Sequence, residues 1–147
     1  SYIEQFKLYA EKKQIEIHFE SNFTSQEVWL DRNKMDSIIR NLMTNALKYT
    51  QQGGSIKIQT SKSKSHWFLF ITDTGIGISK EDLPHIFRRT YRADMSRNSA
   101  GGSGLGLSIC KKIIEEHGGE IWAESKLRAG TTIFFTLNKV IDQSKEK

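Results

Sequence analysis

The sequence predicts a mixed α/β domain in which amphipathic helices alternate with short, paired strands. Three observations carry this. Met35, Ile38, Ile39, Leu42, Met43, Ala46 and Leu47 fall at i, i+3, i+4, i+7, i+8, i+11 and i+12, a continuous apolar helix face. Two pairs of apolar, alternating runs are each split by a short polar turn, at Lys62–Ser65 and at Arg128–Gly130. Leu105, Leu107, Ile109, Ile113 and Ile114 form a second helical stripe that stops at Gly118-Gly119, a helix C-cap signal.

Composition narrows the class. At 147 residues the chain is one domain, long enough to bury about two-thirds of its unfolded surface around one core. The charged share, 27%, and the apolar share, 37%, are those of a soluble globular protein. Lys plus Arg is 22 against 17 acidic residues, a net +5, which suits nucleic acid, a membrane surface or a polyphosphate ligand. Lys57, Lys62 and Lys64 flank a turn and read as a solvated face. The single cysteine, Cys110, has no internal disulfide partner and lies on an apolar stripe, so packing in a reducing compartment is expected. The four histidines, at 18, 66, 85 and 117, lack ligand spacing, and no zinc site is expected. No apolar run approaches the ~20 residues that span a bilayer, and no signal peptide is visible.

In order along the chain, residues 2–13 read as a short helix or helix tail, with Ile3, Phe6, Leu8, Tyr9 and Ala10 in a polar setting. Ile15, Ile17 and Phe19 alternate into a half-buried strand, and Glu27–Leu30 is a second, short one. Asp31 is placed to cap the long helix. Gln51–Gly54 breaks that helix, Ile56 and Ile58 start a strand ending near Ser61, and Trp67–Thr72 returns beside it. Ser79 caps a short helix over Lys80–Phe87, with Pro84 limiting its regularity. Arg88–Ser103 has no period and is rich in Arg, Ser, Asn and Gly; loops of that length are usually functional or mobile. Glu120–Glu124 and Thr131–Leu137 are the last strands, and Gln143–Lys147 is a polar tail or the start of a linker.

Two stretches carry chemistry. Asp73-Thr74-Gly75-Ile76-Gly77-Ile78 follows the apolar strand. A buried strand that ends in a carboxylate and a glycine turn presents a fixed acceptor beside bare backbone. That suits a ligand with a donor-rich ring and a tail running close to the main chain; an ordinary turn is the other reading. On the long helix, Asn41, Asn45 and Lys48 sit at i, i+4 and i+7 beside the apolar stripe. They form either a polar surface edge or a metal and phosphate site.

Four signals then stand in a fixed order: Asn41-x-x-x-Asn45-x-x-Lys48-Tyr49, Asp73-x-Gly75-x-Gly77, Gly102-x-Gly104-x-Gly106 and Gly130-Thr131-Thr132. With Phe87 and Tyr91-Arg92-Ala93-Asp94 between the second and third, the chain closely resembles the ATP-binding domain of bacterial sensor histidine kinases, from about Lys13 to Leu137. The resemblance implies the Bergerat fold: a two-layer α/β sandwich with a mixed, mostly antiparallel sheet, three helices on one face and a flexible ATP lid. It implies a helical lead-in over 1–13, an ATP-binding domain over 14–139 with the lid at about 88–104, and a tail over 140–147.

The site residues follow from the same resemblance. Asp73 accepts from the adenine amine, while Gly75 and Gly77 let the wall approach the ring. Ile76, Ile78, Phe87 and Leu107 line the apolar pocket, and Tyr49 and Tyr91 border the nucleotide. Thr132 helps hold Asp73 and a water at the adenine. Asn45 coordinates Mg²⁺, Asn41 lies near the metal or its waters, and Lys48 contacts phosphate. Gly102, Ser103, Gly104, Leu105 and Gly106 lead into a helix N-terminus, whose bare amides and partial charge of roughly +0.5 favour phosphate. Arg92 matches a lid cation that reaches the terminal phosphate, and Arg97 is a second candidate. Two departures bear on the lid: Thr90 stands where many members carry a second Phe, and Arg88 where an acid is common.

The implied activity is transfer of the γ-phosphate of Mg²⁺-ATP to a histidine on a separate dimerisation domain. None of the four histidines is followed by the His-Glu-x-x-x-Pro acceptor pattern, so the chain reads as the catalytic part alone. The implied partners are that dimerisation domain and a response-regulator receiver domain, with no nucleic acid and no direct membrane contact. The implied place is the cytoplasmic side of a membrane-bound receptor. Two alternatives belong to other classes: an ATP hydrolase of the same superfold, like the gyrase and heat-shock chaperone modules, and a non-catalytic nucleotide-sensing module. The hydrolases carry a water-activating Glu at the place of Asn41, and Asn is no general base.

Overall fold

The computed structural model describes residues 2–20, 32–88 and 106–138. Helix α1, Tyr2–Lys12, leads into strand β1, Glu16–Glu20. Helix α2, Arg32–Tyr49, is followed by β2, Ser55–Lys62, and β3, His66–Asp73. Helix α3, Gly106–Glu116, precedes β4, Glu120–Ser125, and β5, Thr131–Asn138. The strand expected at Glu27–Leu30, the Asp31 cap, most of the proposed lid and the tail lie outside the described residues.

The strands form one sheet in the order β1-β2-β3-β5-β4. Only β1 and β2 run parallel; the other three pairings are antiparallel. Ile56 and Ile58, Trp67, Leu69 and Ile71, Ile121, and Ile133, Phe135 and Leu137 are buried at every second position, the period that turns one face of a sheet inward. They pack with Ile38, Leu42, Met43, Ala46 and Leu47 of α2 and with Cys110 and Ile114 of α3. The stripe expected on α2 is therefore the core, and Cys110, 0% exposed, is a packing residue as expected.

The other face of the sheet carries aromatics. Phe70 and Phe134 meet edge-on at 5.3 Å between centroids, and Trp122 stacks on Phe134 at 5.3 Å and 8°. The architecture is thus a mixed, mostly antiparallel sheet with its helices on one side, the two-layer sandwich that the resemblance implies. Among the described residues no helix is long and apolar enough to cross a membrane.

The end of α2 is fixed by a residue far back in the chain. Lys13 Nζ donates to the carbonyls of Leu47 at 2.9 Å and Thr50 at 3.1 Å. Those are groups that a helix C-terminus leaves without an internal partner, and a cation also suits the negative end of the helix dipole. The chain positions Lys48 and Tyr49 from this anchored end.

One expectation contracts. The helix read over Lys80–Phe87 is a single 3₁₀ turn at Leu83–His85. Ser79 opens the segment, since its Oγ accepts from the Asp82 N–H at 3.1 Å and donates to Asp82 Oδ2 at 3.0 Å. Pro84 supplies no N–H, and its ring crowds the carbonyl four residues back, so no regular α-helix runs from Lys80 through it.

Ile38→Ala should lower unfolding free energy by about 2–5 kcal/mol, because Ile38 is fully buried between α2 and the sheet. Leu8→Ala, at a side chain 60% exposed, should stay within about 0.5 kcal/mol. Urea unfolding of the two variants measures both, and an equal cost would contradict this placement of the core.

Candidate functional site

The site is assembled where the C-terminal ends of α2 and β3 meet the turn between β4 and β5. Asp73 closes β3 and is 7% exposed. Its Oδ1 accepts two backbone N–H groups, from Gly75 at 2.9 Å and from Thr131 at 3.2 Å. Burial pushes the carboxyl pKa above its usual 3.8, and the bonds from Gly75 and Thr131 pull it back only in part. With Oδ1 doubly occupied, Oδ2 is the oxygen that remains for a ligand donor.

The glycine loop is wedged between two backbones. A side chain on Gly75 would collide with the Tyr49 carbonyl, and the neighbouring Ile76 N–H donates to that same carbonyl at 3.2 Å. Gly77 has φ +75° and lies against the Lys126 carbonyl, where any Cβ would clash. On the far side Arg128 N–H donates to Ile76 O at 2.7 Å, and Ile78 N–H donates to Ser125 Oγ at 2.7 Å. Ile76 and Ile78 are held half-buried by these bonds. The structure therefore brings the helix motif and the Asp73 motif together through main-chain contacts at Tyr49.

Along α2, Lys48 Nζ lies 5.4 Å from the centroid of the Tyr49 ring, a cation–π distance. Asn45 is half-buried, one turn before them. Asn41 faces α3: a Cβ built on Gly106 would lie 3.3 Å from Asn41 Oδ1. Asn41 Nδ2 reaches Ser37 Oγ at 3.5 Å. The Asn41 side chain also hydrogen-bonds the Cys110 thiol, whose pKa burial pushes up to about 12. Asn41 is therefore packed at the junction of α2 and α3 rather than standing on an open polar edge. Phe87 and Leu107 are partly buried against the core.

Thr132 is not brought to Asp73. Residues alternate across β5, and Thr132 pairs with Thr72 while Thr131 pairs with Asp73. Thr132 Oγ1 donates to Thr72 Oγ1 at 3.1 Å on the face away from the helices. Thr131 takes the expected position, buried and bonded to the carboxylate. The buried alternation Thr131, Ile133, Phe135, Leu137 was readable from the sequence and points to Thr131. Ser125 and the Tyr49 carbonyl are further members of the site with no such local signal. Tyr91, Arg92, Arg97, Gly102, Ser103, Gly104 and Leu105 lie outside the described residues.

The arrangement offers a buried acceptor, a backbone-lined wall, and amide and cationic groups along α2. The family described as histidine kinase-, DNA gyrase B-, and HSP90-like ATPase matches residues 30–141. The sensor protein SrrB of Staphylococcus aureus (strain NCTC 8325 / PS 47) is 44% identical over 120 residues, 80% of this chain. The chain spans 21% of the length of that relative. The solved catalytic domain of histidine kinase ThkA superposes with a TM-score of 0.79 at 32% identity, covering 92% of this chain and 87% of that one. A structure of ThkA in complex with response regulator protein TrrA aligns with a TM-score of 0.74 at 30% identity, covering 92% and 37%.

Asp73→Asn should stabilise the ligand-free chain at neutral pH. The folded state holds the Asp73 proton more tightly than the unfolded state, because the folded pKa is raised. Stability therefore falls as pH rises from the unfolded value of 3.8 through the folded one, and the ionised group costs most above both. Asn keeps an oxygen for the two N–H donors without the charge. A higher Tm for Asp73→Asn at pH 7, with the gap closing toward pH 4, is the expected result of thermal melts across that range; a lower Tm at pH 7 contradicts it.

Proposed function

Since the chain belongs to the histidine kinase-, DNA gyrase B-, and HSP90-like ATPase family, whose members bind ATP, we propose that it is the catalytic part of a two-component sensor histidine kinase. It binds Mg²⁺-ATP and donates the γ-phosphate to a histidine on a separate dimerisation domain. The observation that carries the base specificity is the pinned Asp73 carboxylate. Two backbone donors hold Oδ1, so Oδ2 meets the exocyclic amine of adenine. Leaving Oδ2 without a donor costs free energy, which bound base or water recovers.

The kinase reading over the hydrolase reading rests on Asn41. The hydrolytic relatives keep a Glu there, and an amide cannot take a proton from water. Asn41 here is engaged with α3 and Cys110. Similarity to SrrB and to the ThkA catalytic domain supports the same choice.

Asn45 is the residue that would hold Mg²⁺. Its amide oxygen is a hard, neutral donor, and Mg²⁺ usually takes one or two protein ligands with phosphates and waters. Bound Mg²⁺ neutralises charge on the phosphates. Lys48 adds a cation near the phosphates, and Arg92 is the proposed contact to the terminal phosphate. Phosphoryl transfer is mostly positioning and charge stabilisation, which is what these groups supply. A response-regulator receiver domain is the proposed downstream partner, supported by the ThkA–TrrA complex. The proposed setting is the cytoplasmic part of a membrane-bound receptor.

Radiolabelled ATP tests this. The chain with Mg²⁺ should bind a non-hydrolysable ATP analogue with micromolar or weaker affinity, about 8 kcal/mol at most. Labelled phosphate should transfer only when a histidine-bearing dimerisation domain is added. Asn45→Ala should reduce that transfer by about a hundredfold or more. Rapid ATP turnover by the chain alone would move it to the hydrolase class. Acid-stable label on its own Ser or Thr would make it a different kinase.

A further inference from the structure

We propose that Ser125 is a positioning residue for base selection: its hydroxyl ties the glycine loop to the strand end that holds Asp73, and so sets which carboxylate oxygen meets the base. This deepens the ATP-binding reading above and rests on it.

Ser125 is the last residue of β4 and pairs with Thr131 across the β4–β5 hairpin. Its Oγ lies 2.7 Å from Ile78 N, 2.7 Å from Thr131 Oγ1 and 2.9 Å from Gly130 O. A hydroxyl has one hydrogen and two lone pairs. The hydrogen goes to the Gly130 carbonyl, which can only accept. The lone pairs then accept from the Ile78 N–H and the Thr131 O–H. Every bonding position of the Ser125 hydroxyl is used, and its three partners are all parts of the frame around Asp73.

These bonds close a ring. Asp73 Oδ1 accepts from Gly75 N–H, the chain runs on to Ile78, Ile78 N–H meets Ser125, Ser125 meets Thr131, and Thr131 N–H returns to Asp73 Oδ1. Each donor on Oδ1 is therefore held from behind by the same hydroxyl, one through the loop and one through Thr131. Residues 75 and 131 are thereby both brought to one oxygen. If that hold loosens, the carboxylate is free to rotate, and Oδ2 no longer presents a fixed acceptor. Ser125 itself need not touch the ligand. Its effect falls on how the site distinguishes an amine from a carbonyl on the base.

The experiment compares ATP with inosine triphosphate, whose ring carries a carbonyl in place of the amine. Calorimetric titration is run on the wild-type chain, Ser125→Ala and Ser125→Thr. Ser125→Ala should weaken ATP binding about three- to tenfold by losing hydrogen bonds that orient the carboxylate. Inosine triphosphate affinity should hold or rise, so discrimination shrinks by at least that factor. Ser125→Thr, which keeps the hydroxyl, should retain wild-type discrimination. An unchanged ATP-to-inosine ratio in Ser125→Ala overturns the proposal, including the case where both affinities fall together as for a merely structural loss. A second, ligand-free readout is amide hydrogen exchange. Gly75 and Thr131 should exchange faster in Ser125→Ala while the core amide of Ile71 keeps its protection; unchanged protection at Gly75 and Thr131 overturns it. A wild-type chain that binds no ATP would fail the parent reading instead, and the exchange result would still decide whether Ser125 holds the Asp73 frame.

Discussion

One oxygen atom organises this molecule. Asp73 Oδ1 accepts a backbone N–H from the loop that follows its own strand and another from β5, 58 residues away. A carboxylate at this depth carries a desolvation penalty, which pushes its pKa up. The two N–H groups offset part of that penalty and also remove the carboxylate's rotational freedom. What is left is a single acceptor oxygen with a fixed direction. In the proposed function, the fold retains a charge that destabilises the empty protein because that charge serves the bound base.

The backbone around Asp73 is packed so that the two donors stay in place. The loop after Asp73 can pass between the end of α2 and the β4–β5 turn only because Gly75 and Gly77 have no side chains. The end of α2 is itself fixed by Lys13 on its last carbonyls. Through the Tyr49 carbonyl, the helix that carries Asn45 and Lys48 touches the loop that follows Asp73. In the proposed ATP complex, base and phosphate ends of the nucleotide are thus referred to one backbone junction. Asn41 adds a second junction, between α2 and the first turn of α3.

Much of this was legible in the sequence wherever the determining contacts are local. The α2 stripe, the hairpin around Lys62–Ser65, the C-cap at Gly118-Gly119 and the acid at the end of β3 all follow from period and turn chemistry. The helix expected at Lys80–Phe87 was overextended, since one proline outweighed the N-terminal Ser79 signal. What could not be read are pairings between distant segments. Ser125 meets Ile78 47 residues away, and Lys13 meets Thr50 37 residues away. No local pattern encodes those partners. Thr131 is an intermediate case: its pairing with Asp73 is non-local, but strand parity alone separates it from Thr132.

The central claim is that Oδ1 is held by the backbone and Oδ2 selects the base. In Asp73→Asn the side-chain oxygen must take the place of Oδ1, because two N–H donors face it. The amide nitrogen then stands where Oδ2 was and presents a donor. The most direct measurement is the ratio of ATP to inosine triphosphate affinity in this variant against wild type. The account predicts that the preference inverts, with ATP weakened about ten- to hundredfold as a donor meets a donor and inosine triphosphate gaining. A variant that weakens both nucleotides equally, or still prefers ATP by the wild-type ratio, would contradict it.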